Sequence, residues 1–335
     1  MAQLVSSALD RLVIRPYAGE ADLAEIVRIG NADLAHDGVQ ERMSLDDLAA
    51  TFRHASDAFD ASRDVLIAEI DGVAVGTVRV DWVDMTDGRR EYRSRGSVDP
   101  AWRRRGIGRR LLHAAQALMR ERSASHDVDR ERVMGMFIDE HQAGRTALAE
   151  SEGYAPVRWF FEMDRPNIDA DRPEVTPLPD GIEVRPVTRD DARRIWDADL
   201  EAFRDHWGGW DPSEASFRRW IESPEFQPEL CVVAWDGDEI AGAVLNAIYA
   251  EENAELGVRR GWLDSVFTRR PWRGRGLARA LIARSLHVLA ERGMDTAALG
   301  VDADNPSGAL RLYESCGFVV SERGSAWHRP MDPTR

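Results

Sequence analysis

The sequence presents its main features twice, in the same order, and this duplication is what most constrains its fold. An Arg-Pro pair closes a short apolar segment at residues 15–16 and again at 185–186, each time just before an acidic helix start. Stretches rich in arginine and glycine follow at 98–112 and 268–282, where Arg103 and Arg273 share the same offset of 170 positions. An ordered series of matching features at a fixed offset predicts two copies of one domain.

Each copy shows the pattern strand, helices, antiparallel strands, helix, strand, helix and strand. The apolar periodicities therefore predict a mixed α/β fold, in which helices flank a central sheet. Asp-Gly turns at 71–72 and 236–237 predict a β-hairpin in each copy. The proline-rich and acidic residues 168–180 predict a linker between an N-terminal domain, 1–167, and a C-terminal domain, 181–335.

The charge of the chain disfavours several kinds of partner. A net charge of −15 and a pI near 5.1 repel phosphate-rich surfaces, so we expect neither a nucleic acid nor a membrane as a partner. The two cysteines, at 231 and 316, form no metal-like cluster, so we expect no metal and a reducing, cytoplasmic setting. The sequence shows no secretory or membrane-spanning pattern, and it leaves monomer and homodimer open.

The stretch TRRPWRGRGLARALI, residues 268–282, places two glycines at the junction of a strand and a helix. Residues 261–268 are β-prone, while the sequence from Leu277 onward has helical periodicity. Glycine lets the backbone approach a ligand closely and adopt a positive φ, and the first amides of a helix attract anions. The stretch therefore predicts a loop that binds a diphosphate, and residues 98–112 predict a second one.

These loops are similar to the Gln/Arg-x-x-Gly-x-Gly/Ala loop of the GNAT superfamily of acyl-CoA-dependent N-acyltransferases. Residues 273–278 match the loop in the second copy, and 103–108 match it in the first. Residues 302–318 resemble the family's Asn-x-x-Ala and Leu-Tyr-x-x-x-Gly-Phe segment, so the resemblance covers nearly the whole chain as a tandem pair. It implies a mostly antiparallel sheet that splays around CoA, and direct transfer of an acetyl group from acetyl-CoA to a primary amine.

The resemblance also implies which groups bind acetyl-CoA. The end of the central strand would contact the acyl carbonyl and the pantetheine, the loop amides would hold the pyrophosphate, and Asn305 would lie near the pantetheine arm. The implied residues of the second copy are Val266, Phe267, Thr268, Arg273, Gly274, Arg275, Gly276, Leu277, Ala278 and Asn305. Those of the first copy are Val98, Arg103, Arg104, Arg105, Gly106, Ile107 and Gly108.

Tyr313 matches the family's helix tyrosine, which can donate a proton to the departing CoA thiolate. A phenol pKa near ~10 lies close to a thiol pKa near ~8.5, which makes this transfer reasonable; packing at a helix end is the alternative role. The same register places Ala149 opposite Tyr313 and His141 opposite Asn305. We therefore expect the first copy to be degenerate and mainly structural and the second copy to be catalytic. Binding of CoA by the first copy stays open at this point.

The group that takes the proton from the substrate amine is less constrained. Asp264 lies four residues before Thr268 and thus on the same face of the strand, and would relay the ammonium proton. Pairing of Asp264 with an arginine is an equally good interpretation. Histidine titrates near neutral pH, but a lone histidine more often serves packing. Candidate acceptor-site residues in the segment 199–210 are Glu201, Asp205, His206 and Trp207.

No motif names the acceptor. The tandem layout is similar to that of family members that acetylate a cysteinyl amine on a sugar–inositol scaffold, and an acidic chain suits a cationic small-molecule amine. Acetylation of aminoglycosides or of protein N-termini remains an alternative, as does a non-catalytic acyl-CoA-binding module. The net charge of −15 disfavours nucleic-acid binding through the arginines.

Overall fold

The computed structural model describes residues 8–305 and 308–331. Their contacts divide the chain into two compact units. Within the described residues, the N-terminal unit comprises 8–157, 208–211 and 325–331, and the C-terminal unit comprises 158–207, 212–305 and 308–324. The compact units therefore do not end where the two sequence copies end.

Five strands of the N-terminal unit lie side by side in chain order: β1 (Leu12–Pro16), β2 (Val65–Ile70), β3 (Val73–Asp84), β4 (Arg90–Val98) and β5 (Arg132–Asp139). The helices around them are α1 (Glu20–Asp37), α2 (Leu45–Arg53), α3 (Ala61–Asp64), α4 (Ile107–Ala124) and α5 (Ala143–Ser151). Neighbouring strands are antiparallel except β4 and β5, whose parallel pairing covers residues 90–93 of β4. Positive φ values of 53° at Asp71 and 80° at Gly72 confirm the predicted hairpin turn.

The C-terminal unit repeats this arrangement. Its strands are β7 (Ile182–Arg185), β8 (Val232–Asp236), β9 (Glu239–Ala247), β10 (Arg260–Thr268) and β11 (Thr296–Asp302), together with most of β6 (Ala155–Pro166) and the first half of β12 (Val319–Pro330). The helices are α6 (Ala192–Ala202), α7 (Glu214–Glu222), α8 (Ala250–Leu256), α9 (Leu277–Glu291) and α10 (Ala309–Ser315). Strands β7 to β10 are successive antiparallel neighbours, β10 and β11 are parallel, and β11 pairs antiparallel with β6.

The long helix that follows each arginine-rich loop anchors the core of its unit. In the N-terminal unit, α4 buries Leu111 and Met119 in the core and packs on β3 and β4. In the C-terminal unit, α9 buries Leu281 and Leu286 in the core and packs on β9 and β10. Full burial of such a side chain stabilises the fold by roughly 1.5–3 kcal/mol. This packing fixes the position of each loop independently of any ligand.

The observed architecture confirms the predicted mixed α/β fold with mostly antiparallel, splayed sheets. Residues 168–180, predicted as a linker, pack on the C-terminal unit: Ile168 is fully buried there, and the carbonyl of Pro173 accepts a hydrogen bond from His287 of α9. The assignment of the sequence copies to 1–167 and 181–335 stays a prediction. None of the described helices is long and apolar enough to cross a membrane.

Candidate active site

Strands β10 and β11 separate just before the residues expected to contact pantetheine. Their parallel pairing covers Arg260–Trp262, while β10 continues to Thr268 and pairs along its other edge with β9. Val266 and Phe267 therefore lie beyond the last β10–β11 pair, so the β10 edge at these two residues is not paired with β11. Backbone groups at such an open strand edge can pair with an extended, amide-bearing ligand.

The second phosphate loop, Arg273–Ala278, is open above its glycines. Gly274 and Gly276 have φ values of 72° and 80°, a region that favours glycine. Apart from the two neighbouring residues in the chain, a Cβ atom at either position would have no described atom within 4 Å. Gly276 caps α9, and the hydrogen bond from the backbone amide of Ala280 to the carbonyl of Gly276 closes the first turn of this helix. The backbone amides before Ala280 therefore have no carbonyl acceptor within the helix. The open space and the positive end of the helix dipole fit a diphosphate group.

The side chain of Arg273 supports this loop from within the protein. It donates hydrogen bonds to the backbone carbonyls of Thr268 at 2.9 Å and Ala202 at 3.0 Å. These bonds tie the loop to the end of β10 and to the end of α6. The Arg273 guanidinium therefore holds the loop in position, and the backbone amides of the loop are the groups suited to bind a diphosphate.

Two predicted acceptor-site carboxylates form ion pairs with arginines that precede the loop. Glu201 binds Arg269 at 2.7 Å, and Asp205 binds Arg270. The hydrogen bond from Arg270 lowers the pKa of Asp205 below its usual value. The His206 ring donates to the carbonyl of the next residue at 3.0 Å. The charge of both carboxylates is thus already compensated within the C-terminal unit.

A β-bulge in β10 changes the expected position of Asp264. The pairing with β9 passes from Leu263 to Ser265, so Asp264 is the extra residue. Because the bulge breaks strict alternation, the expectation that Asp264 shares a face with Thr268 is wrong. Asp264 is exposed, and it accepts a hydrogen bond from the Tyr249 hydroxyl at 2.9 Å.

Sequence reasoning missed a carboxylate that lies beside this bulge. Asp199 of α6 accepts a hydrogen bond from the Ser265 hydroxyl, next to Val266 in the strand. Burial raises the pKa of Asp199 to about 6, although the Ser265 bond opposes this rise, and the side chain keeps partial solvent access. A sequence signal existed, since Asp199 shares a helix face with the buried residues Ile195 and Ala202. Such a carboxyl group is suited to exchange a proton with an amine near neutral pH.

Tyr313 and Thr268 offer two hydroxyl groups. The Tyr313 ring lies in the core, with its centroid 6.2 Å from that of Phe318. Burial raises the pKa of this phenol, so it stays protonated at neutral pH. Within residues 8–305 and 308–331, the Tyr313 hydroxyl makes no hydrogen bond, and the buried Thr268 hydroxyl has no described partner either. Both groups have hydrogen-bonding capacity left for a ligand.

The segment after α6 brings an aromatic ring to the end of β11. Trp207 packs on Phe160 of β6 at 5.8 Å between ring centroids, and the Arg158 guanidinium lies over the Trp207 ring. Arg158 makes two hydrogen bonds of 2.8 Å to the buried carboxylate of Asp302. The amide of Asn305 donates to the Asp302 carbonyl, which places Asn305 just beyond the end of β11. The residues next to Asn305, 306 and 307, lie outside the described part of the chain.

The first phosphate loop, Arg103–Gly108, has the same backbone path without the same open space. Arg104 has a φ of 62°, where the second loop has its first glycine, and this conformation is costly for an L side chain. A Cβ atom at Gly106 would lie 3.1 Å from a methyl group of Leu9. Leu9 therefore covers the glycine that caps α4.

A charged network occupies the widening between β4 and β5. Arg145 of α5 donates to the Gly96 carbonyl at 2.6 Å, beyond the last β4–β5 pair, and lies 3.3 Å from the Asp33 carboxylate. Arg103 binds the same carboxylate and also Asp37 at 2.6 Å. The loop arginine of the first copy is thus committed to two carboxylates of α1.

Alignment of the two copies shows what this network replaces. Arg145 aligns with Ala309, so a guanidinium stands where the second copy has a methyl group. Ala149 aligns with Tyr313 and is fully buried, and it carries no hydroxyl. The region 98–108, which matches the family's CoA-binding residues, therefore lacks the open space and the phenol of its counterpart.

Two domain models match the chain. Residues 192–318 match the Acetyltransferase (GNAT) family, and residues 61–154 match an Acetyltransferase (GNAT) domain. Each match spans the splayed strands and the phosphate loop of one copy.

Similar proteins cover nearly the full length. A mycothiol acetyltransferase of Thermomonospora curvata is 31% identical over 92% of this chain and 94% of its own length. One from Geodermatophilus obscurus is 27% identical over the same shares. A GCN5-related N-acetyltransferase of Sphaerobacter thermophilus superposes with a TM-score of 0.69 at 27% identity, covering 97% of this chain and 98% of that chain.

A tandem GNAT protein from the clavulanic acid biosynthesis pathway shares the fold, with a TM-score of 0.70 at 19% identity over 97% of this chain and 100% of that chain. The duplicated motifs, the splayed strands and the full-length relatives agree on one assignment. The chain belongs to the GNAT family of acetyltransferases and carries its domain twice.

Proposed function

We propose that this acetyltransferase moves the acetyl group of acetyl-CoA to a primary amine of a small molecule, and that its second copy alone does so. The observation that carries the proposal is the open second phosphate loop beside separated strands, against a first loop that Leu9 covers. Direct transfer needs an oriented thioester, an unprotonated amine and a proton for the leaving thiolate. Residues of the C-terminal unit supply each of these requirements.

The chain holds the co-substrate mainly through its backbone. Acetyl-CoA supplies the acetyl group as a thioester when bound. The amides at the start of α9 bind its diphosphate, and the open space at Gly274 and Gly276 admits that group. Backbone groups of Val266 and Phe267 bind the pantetheine and the acyl carbonyl, and the Thr268 hydroxyl gains a partner. A backbone N–H aimed at the carbonyl oxygen stabilises the negative charge that develops there.

Asp199 takes the proton of the substrate ammonium group. With a pKa of about 6, it is largely ionised at neutral pH and attracts a cationic amine. The Ser265 hydroxyl holds one carboxylate oxygen and leaves the other for the amine. Asp264, exposed in the bulge and bonded to Tyr249, is the competing candidate.

Tyr313 donates the proton that the CoA thiolate requires. Its raised pKa keeps the phenol protonated, and its hydroxyl has no partner in the described residues. The acid and the base of the reaction are then separate groups, so the proton taken from the amine need not travel to the thiolate.

The acceptor is a small polar amine of the kind that the relatives' name indicates, the amine precursor of mycothiol. Glu201 and Asp205 are neutralised by arginines, so recognition of the ammonium group depends on Asp199. The half-buried ring of Trp207, packed on Phe160, offers an apolar wall to a ring of the acceptor.

The test is an acceptor panel with the full chain and acetyl-CoA, measured as release of free thiol. The panel contains the mycothiol precursor amine, an aminoglycoside, a polyamine and a peptide N-terminus. We expect the precursor amine to give the highest kcat/KM. Acetyl-CoA binding without turnover of any amine would instead support a non-catalytic acyl-CoA-binding module.

A further inference from the structure

The position of the Asp199 carboxylate and Ser265 in the second copy corresponds to a position with arginine side chains in the first copy. At the offset of 170 positions, Ser265 corresponds to Arg95. The cross-strand neighbour of Ser265 is Leu245, whereas the neighbour of Arg95 is Arg79. Two arginines thus face each other where the second copy has a hydroxyl and an apolar side chain.

The helix above this place differs in the same sense. Arg103 and Arg273 donate to the carbonyls of Asp33 and Ala202, which aligns α1 with α6. This alignment puts Gly30 at the position of Asp199. The first copy therefore replaces the carboxylate by a hydrogen atom and adds two guanidinium groups beneath it.

Arg79 and Arg95 have no hydrogen bond and no ion pair among the residues that the structure describes. Like charges directly opposite each other on two strands are destabilising. Burial and the charge of Arg95 lower the pKa of Arg79 to about 10. Arg79 is half-buried and Arg95 is exposed, so the pair reaches from the interior of the N-terminal unit to solvent.

The rest of this strand face is also rich in arginine. Arg93 lies two residues before Arg95, on the same face, and binds Asp81 at 2.5 Å. Asp47 of α2 is a further carboxylate whose charge acts on Arg79. Glu91 and Asp211 also act on Arg93, so the charge of that arginine is compensated. Arg79 and Arg95 are the two guanidinium groups of this face that form no ion pair among the described residues.

We propose that Arg79 and Arg95 form a binding site for the phosphate or carboxylate group of a small molecule. Guanidinium groups present several N–H donors in one plane and bind such oxyanions through paired hydrogen bonds. The bound anion would compensate two like charges that otherwise repel each other. This site lies in the N-terminal unit and does not depend on which amine the second copy acetylates.

The test is calorimetric titration of the full chain with inorganic phosphate and, separately, with succinate, in the presence of saturating CoA. CoA keeps phosphate away from the second phosphate loop, and the stronger probe identifies the class of anion. We expect binding of at least one probe, weakened tenfold or more in Arg79→Met and Arg95→Met. Arg110→Met, which removes an exposed arginine of α4, is the matched control and should bind as the wild type does.

Unchanged binding in the Arg79→Met and Arg95→Met variants, or no binding of either probe to the wild type, would overturn the proposal. A stability measurement guards against misfolding. Arg79→Met removes a half-buried cation that has no described partner, so without anion its Tm should equal or exceed that of the wild type. The probe anion should raise the Tm of the wild type and leave that of Arg79→Met unchanged. A failure of CoA to bind would count against the proposed function and would leave this comparison readable.

Discussion

The two phosphate loops share a backbone path and differ in what lies beside the glycine that caps the following helix. The capping glycines Gly106 and Gly276 have φ values of 85° and 80°, and each begins a long helix packed on its own sheet. Leu9 lies over the first, while no described atom fills the space beside the second. Packing of the helix maintains the loop whether or not a ligand binds. A phosphate-loop motif therefore predicts a turn, and its surroundings decide its use.

The widening beside each loop shows the same contrast. In the first copy Arg145 bonds to the Gly96 carbonyl and to Asp33, so protein groups occupy the position. In the second copy the corresponding residue is Ala309, and the Thr268 hydroxyl is buried without a partner in the described residues. Hydrogen-bonding capacity satisfied internally in one copy is left for a ligand in the other.

Of the substitutions that test this difference between the copies, Asp199→Asn is expected to have the largest effect on kcat/KM. We expect kcat/KM to fall by about 10³-fold, because an amide does not accept the proton of the amine. The kcat/KM of the wild type should rise with pH through about 6, as Asp199 loses its proton. The variant should lack this rise, and a pH–rate profile measures it.

Stability separates this outcome from misfolding. Because the pKa of Asp199 is raised from 3.8 to about 6 in the folded state, the free energy of unfolding falls as the pH rises from 3.8 to about 6. At higher pH this loss stays constant. Asp199→Asn should therefore have an equal or higher Tm at neutral pH. Asp264→Asn is the matched control, for which we expect a small change in rate. A large loss in that control, with full activity in Asp199→Asn, would exchange the roles of the two carboxylates.

Replacement of Tyr313 by phenylalanine is expected to lower kcat by about 10²-fold and to leave the KM for acetyl-CoA little changed, since the variant lacks only the proton donor. Tyr154→Phe removes a buried phenol from the first copy and should leave kcat unchanged. Steady-state kinetics of both variants test this difference. Equal losses would assign the effect to packing.

Replacement of Gly276 by alanine is expected to raise the KM for acetyl-CoA by about tenfold. The added methyl group enters the space proposed for the diphosphate of acetyl-CoA. The φ of 80° at this position also costs an L residue roughly 1–2 kcal/mol of conformational energy. Gly106→Ala imposes the same backbone cost on the first loop and should leave that KM unchanged. If both variants raised the KM equally, the first loop would have to be counted as a co-substrate site.

The smallest effect is expected from Ser265→Ala. The Ser265 hydrogen bond lowers the pKa of Asp199, so its loss should move the acidic limb of the kcat/KM profile above about pH 6. The rate at higher pH should fall only modestly. A limb that stayed at the same pH would show that Ser265 does not act through Asp199.

Local patterns in the sequence are enough to predict the architecture. The hairpin at 71–72 and the junction at 268–277 follow from alternation, helical period and turn residues, which act over a few positions. The constant offset of 170 positions then predicts the duplication. These features need no knowledge of which distant residues meet.

The features that distinguish the copies depend on distant contacts. The bulge at Asp264 arises from the register with β9, and the proximity of Asp199 to Ser265 arises from the packing of α6 on β10. Leu9 over Gly106 joins residues far apart in the chain. Short-range periodicity carries no information on such pairs, so the sequence could indicate a degenerate first copy only from aligned positions such as Ala149 and His141.

The central claim is that one loop binds acetyl-CoA and the other does not. Calorimetric titration of acetyl-CoA into the full chain measures this directly as a stoichiometry. We expect one molecule per chain, with binding weakened in Gly276→Ala and unchanged in Gly106→Ala. Two molecules per chain, or a single one whose affinity responds to Gly106→Ala and not to Gly276→Ala, would contradict the account.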